Sequence, residues 1–110
     1  LSSRLAYPEV RAALAAAARN HPLDAEDHDA AENAWADYWA ATRPVELTAP
    51  VAERAGELAR LHALSGANAV HLASALAIGD RDLVIAAWDR RLHAGAQAAG
   101  LRVAPARISV

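Results

Sequence analysis

The sequence predicts an α/β domain with a parallel sheet flanked by helices, and two observations carry that expectation. Short apolar runs alternate with longer helix-forming segments, the pattern of parallel strands joined by right-handed helical crossovers. The strongest run, Leu83-Val84-Ile85-Ala86-Ala87, has no polar alternation, as a strand covered on both faces should. The visible strands are few and short for such a sheet, and a chain that opens on Leu1 contains no Met. The expectation is therefore a single domain over residues 1–110, incomplete at its amino end, with a first strand absent from this chain.

Taken in order, Leu1-Ser2 reads as the tail of a strand and Ser3 as a cap. Arg4 to Asn20 is a helix on alanine propensity and charge spacing. Pro8 leaves its start open: a start at Ser3 makes Pro8 remove an early hydrogen bond, whereas a Tyr7 cap gives Pro8 the favoured first position. His21-Pro22 ends the segment. Asp24 caps a second helix, Ala25 to Thr42, whose acids Glu26, Asp27 and Asp29 suit a helix amino end. Trp35, Tyr38 and Trp39 give it an aromatic stripe, read as core or subunit interface. Val45-Glu46-Leu47 is a short strand, and Thr48-Ala49-Pro50 opens a third helix running to Leu64. A fourth follows from Gly66, with Ala69, Leu72, Ala73 and Leu76 at helical period and Gly79 at its stop. After the Leu83–Ala87 strand, Asp89 begins a helix to Ala99, ended by Gly100, and Leu101 to Ala104 is a last strand.

Composition limits the chemistry. With 55% hydrophobic and 22% charged residues the chain folds and is not a disordered tail. A net charge of -2 supplies no basic field for nucleic acid, although a nuclease holding substrate through a metal and a few arginines needs none. No cysteine is present, which excludes a disulfide framework and a thiolate site and fits a cytoplasmic protein. Charges break the alanine-rich runs well short of the roughly 18 apolar residues of a membrane span.

Three residues stand out. Glu9 points between Leu5, Ala12, Ala13 and Ala16; if that arc is buried, the carboxylate must be paired, protonated or metal-bound, and if it faces solvent, alanine is filler. Asp89, past the carboxyl end of a strand, lies where ligand sites form and is also a good helix N-cap; one oxygen can cap while the other binds. Asn68, at the mouth of the fourth helix, reads as a cap or loop amide. His71 follows it among apolar neighbours, and His62 and His71 have no third ligand at zinc spacing. The acids of residues 24–29 lack the glycine and closing glutamate of a calcium loop, and Asp80 and Asp82 read as turn residues. Arg90 and Arg91 flank Asp89.

Three pieces in order, SSRLAYPEVRAAL, GANAVHLASALAIG and LVIAAWDRRLHAGAQAAGLRV, resemble the PIN-domain family and specifically the VapC-type toxin ribonucleases. The resemblance implies a PIN-like fold in which four acids at the carboxyl end of a parallel sheet hold Mg2+ or Mn2+ for RNA cleavage. Hard divalent ions want oxygen ligands, and phosphodiester hydrolysis wants an activated water and an anion clamp. Glu9 falls on the family's second acid and Asp89 on the fourth. The first acid belongs to the strand this chain lacks, the third is here Asn68, and the hydroxyl residue two places before the fourth acid is here Ala87. At an effective dielectric near 20, one carboxylate and a 2+ ion about 4 Å apart attract by about 8 kcal/mol before screening, so the Asn68 substitution lowers metal affinity.

The resemblance thus implies a metal-dependent endoribonuclease toxin, weakened or inactive through Asn68, with RNA as substrate, a cognate antitoxin, a homodimeric state and no membrane. Its rivals are a catalytically silent PIN-like binding or dimerisation module, which Asn68 and Ala87 favour, and another metal-dependent phosphohydrolase using the same acids.

Overall fold

In a computed structural model of the chain, residues 1–20, 24–80 and 82–107 are described, and the molecule is mixed α/β, mostly helical with short parallel strands. It divides into two compact units, Leu1–Val45 and Glu46–Val110.

In the first unit, β1 (Ser2–Ser3) pairs in parallel with β2 (Pro44–Val45). Bonds from Ser2 N to the Arg43 carbonyl (3.2 Å) and from Arg4 N to the Val45 carbonyl (3.0 Å) extend the ladder. The strand expected at Val45 to Leu47 therefore starts one residue earlier and stops at Val45. Helix α1 spans Ala6–Asn20, and the Ser3 hydroxyl accepts from Leu5 N at 3.2 Å just before it. Neither start considered for this helix holds. Pro8 is its third residue, in the first turn, where N–H groups lack intrahelical partners and a missing one costs nothing. The helix end expected at His21-Pro22 lies outside the described residues. Helix α2 (Ala25–Ala40) has its predicted cap, Glu26 N donating to Asp24 Oδ1 at 3.0 Å. It closes before Thr42, whose hydroxyl donates to the Tyr38 carbonyl at 2.8 Å.

Neither α1 nor α2 has a buried residue. Rings take the place of a core: Trp35 lies 6.4 Å from Tyr7, 5.6 Å from Tyr38 and 5.6 Å from Trp39 between centroids, within the range of aromatic pairing. Arg11 Nε meets Glu32 Oε2 at 2.8 Å and ties the two helices beside that cluster.

The second unit holds the apolar core. Helix α3 (Ala49–His62) is capped by Thr48, and α4 (Gly66–Ile78) by Ser65. Between them Ala63 takes the left-handed conformation, φ 53°, and Leu64 N returns to the Ala59 carbonyl at 3.1 Å. Strand β3 (Val84–Ala86) pairs in parallel with β4 (Arg102–Ala104), and α5 (Arg90–Ala98) connects them. Gly79 and Gly100 end α4 and α5 with φ of 69° and 88°, the left-handed backbone that glycine tolerates. Val51, Ala55 and Leu58 of α3, Ala69, Leu72 and Ala73 of α4, and Leu92 and Ala96 of α5 form one buried cluster with Leu64 and Ala87.

Two expectations about the sheet are corrected. Among the described residues the strands form two separate two-stranded ladders, not one sheet. Nor is β3 covered on both faces: Val84 is 50% exposed and Ala86 is exposed, while Ile85 is half-buried and Ala87 is 3% exposed. The strand alternates in burial, but every residue in it is apolar, so its sequence hides the alternation.

Candidate functional site

Asp89 follows β3 with extended backbone, and its side chain starts α5: Leu92 N donates to Oδ1 at 3.0 Å. The His93 amide then closes the first helical bond on the Asp89 carbonyl at 2.9 Å. The capping role is thus filled by one carboxylate oxygen. The residue is exposed, as are Arg90 and Arg91 in the turn that follows, so the group sits at a solvent-facing helix amino end, where backbone dipoles favour anions.

Asn68 is not a cap. Ser65 has that role, its hydroxyl accepting from Asn68 N at 3.2 Å. Asn68 is the third residue of α4 and half-buried. A carboxylate there would be favoured by the helix dipole, so the neutral amide is not explained by local helix electrostatics.

Glu9 is exposed in the first turn of α1, with Ala12 and Ala13 also exposed and Ala16 half-buried. The apolar arc around it is surface, and no buried charge requires a partner. Its assignment rests on resemblance alone. Asn68 and Asp89 share the second unit, each at the amino end of one of two helices that pack together, and Glu9 belongs to the first unit.

Among the described residues, no three His, Cys, Asp or Glu side chains gather as a metal-holding group. Within the second unit, Asp89 and Asn68 carry oxygen donors of the type a hard divalent ion takes, and Mg2+ is commonly held by one or two carboxylates together with substrate phosphates. One carboxylate and one amide suit that mode of binding and not a closed protein cage. Of the histidines weighed as ligands, His62 packs against Gly95, whose added Cβ would meet its Cβ at 3.3 Å, and His71 is half-buried in α4. Ala87, where the resemblance expects a hydroxyl, is core, and its amide donates to the Ala104 carbonyl at 2.9 Å.

Two residues escaped the sequence reading. His93 is 7% exposed and its Nε2 lies 2.7 Å from the Pro105 carbonyl, tying α5 to the segment after β4. Its position one residue after the apolar Leu92, on the side of α5 that carries Ala96, was the available signal. Trp88 is 72% exposed directly before Asp89. It continues the outward positions Val84 and Ala86, a period the all-apolar strand conceals.

No family model and no solved structure matches the chain. Two relatives do, both from Mycobacterium tuberculosis. Ribonuclease VapC45 of strain CDC 1551 / Oshkosh is 72% identical over 108 residues, 98% of this chain and 75% of that protein. Ribonuclease VapC49 of strain ATCC 25618 / H37Rv is likewise 72% identical over 108 residues, with the same coverage of both chains.

Proposed function

Since the chain belongs to the VapC ribonuclease family, we propose that it is the toxin of a toxin-antitoxin pair, an endoribonuclease that hydrolyses RNA phosphodiesters with Mg2+ or Mn2+. The observation that carries this reading is 72% identity across 98% of the chain to proteins named as ribonucleases. The site is supported by Asp89, an exposed carboxylate at a helix amino end between a strand and two arginines. In the second unit Asp89 is the acid ligand of this reading and Asn68 holds a ligand position without its charge; Glu9 of the first unit is a further acid ligand by the resemblance alone. A bound divalent ion supplies an activated water and charge neutralisation at the phosphate. Asp89 keeps one oxygen on the α5 amide and offers the other to the site. The partners of this reading are RNA, a cognate antitoxin and a second copy of the chain, in the cytoplasm.

A second reading is favoured by two residues: Asn68 removes a charge, and the buried Ala87 methyl stands in place of a hydroxyl. On that reading the protein is a silent binding module. Single-turnover cleavage of a labelled RNA separates the two. The first reading requires cleavage in Mn2+ that EDTA abolishes, by the protein or by its Asn68→Asp variant. Cleavage by neither selects the silent module, and activity on simple phosphomonoesters but not RNA selects another phosphohydrolase.

A further inference from the structure

Of the three tryptophans, Trp35 and Trp39 are half-buried in the ring cluster of the first unit, whereas Trp88 is 72% exposed. A large aromatic face left in water forgoes the burial that normally stabilises it. The backbone on both sides of the ring is held. Ala87 N donates to the Ala104 carbonyl at 2.9 Å, and Asp89 is fixed by its cap on Leu92 at 3.0 Å. The ring is therefore an exposed face on a fixed mount. The next residues are charged and exposed: Asp89, Arg90, and Arg91, whose Nη1 donates to the Ala63 carbonyl at 3.4 Å. On the other side of the ring Val84, 50% exposed, and Ala86 continue the outward row of the strand, so the ring stands between small apolar side chains and charges. An aromatic face followed by two cations is a combination that binds single strands, with a base on the ring and phosphates on the arginines.

We propose that Trp88 is a base-stacking platform: it takes one unpaired base of single-stranded RNA on its ring, while Arg90 and Arg91 meet the adjoining phosphates, so that a phosphodiester is set beside Asp89. Trp88 is a positioning residue and takes no part in the bond change. The proposal rests on the ribonuclease reading above and is tested apart from it.

Anisotropy of a labelled 12-nucleotide single-stranded RNA, measured in EDTA so that nothing is cut, reads binding directly. Loss of one base–aromatic stack weakens binding about 5- to 150-fold. Trp88→Ala and Trp88→Leu are expected in that range, and Trp88→Phe is expected to recover most of the loss because it keeps a π face. In cleavage assays the Trp88→Ala defect falls on KM more than on kcat. Equal RNA binding by parent and Trp88→Ala, with the parent still cleaving RNA, overturns the stacking role and leaves the ribonuclease reading standing. A parent that neither binds nor cleaves RNA overturns both. Unchanged RNA binding with a lost dimer in sedimentation assigns Trp88 to a protein contact and overturns the proposal. Equal losses in the Phe and Ala variants, with identical melting curves, also overturn it, because π stacking is then not what the ring supplies.

Discussion

Asp89 has two roles that one pair of substitutions separates. Its Oδ1 accepts from Leu92 N at 3.0 Å and caps α5, a nine-residue helix that contributes Leu92 and Ala96 to the buried cluster. Removing an Asp cap by alanine typically costs about 1 kcal/mol. Asparagine keeps a side-chain oxygen for the same amide and ranks with Asp as a cap, so Asp89→Asn loses only the interaction of the charge with the helix end. At an exposed position that is roughly 0.3–1 kcal/mol at low salt. For a chain of this size, 1 kcal/mol moves Tm by about 4 °C or somewhat more. Asp89→Ala is therefore expected to melt about 4 °C below the parent by circular dichroism, with Asp89→Asn between them. The Asn deficit should shrink in 1 M salt, where the screening length falls to about 3 Å. An alanine variant as stable as the parent would refute the cap. An asparagine variant as unstable as alanine, at low and high salt alike, would refute the hydrogen bond as its source. If the expected order holds, Asp89→Asn becomes a variant that leaves the helix in place and removes one charge from the proposed site.

Two further outcomes follow from single positions. Ser74 is 2% exposed in the middle of α4 and its hydroxyl has no hydrogen-bond partner among the described residues. Burying such a group costs roughly 1–3 kcal/mol, so Ser74→Ala should raise the urea midpoint, with a gain of about 1 kcal/mol; a lowered midpoint shows that the hydroxyl is satisfied. Asn68→Asp places a carboxylate in the first turn of α4, where the helix dipole gains roughly 0.3–1 kcal/mol, opposing any repulsion from Asp89. Its metal-free Tm reports that balance, but Mn2+ is expected to raise the Tm of the variant more than that of the parent, and equal shifts would show that position 68 does not reach the ion.

Local chemistry was legible in the sequence. Asp24, Thr48 and Asp89 start their helices as their residue types demand, and Gly79 and Gly100 end theirs, because capping is decided within three or four residues. What depends on distant partners was not. Strand pairing is non-local, and an all-apolar run such as Val84-Ile85-Ala86 cannot show which side faces water. The same ambiguity left the reading of Glu9 open, since alanine serves equally as core and as surface filler and only the folded chain shows Ala12 and Ala13 exposed. Asn68 looked like a cap because amides favour that place. Ser65, three residues earlier, had the better geometry.

The central claim is a ribonuclease built on Asp89 with its third position blunted at Asn68. Single-turnover RNA cleavage in Mn2+ by the parent, by Asn68→Asp, and by Asn68→Asp combined with Asp89→Asn tests it most directly. The expected order is faster cleavage by Asn68→Asp than by the parent, sensitive to EDTA, and loss of cleavage in the double variant. Cleavage by none of the three, or undiminished cleavage by the double variant, would contradict the account.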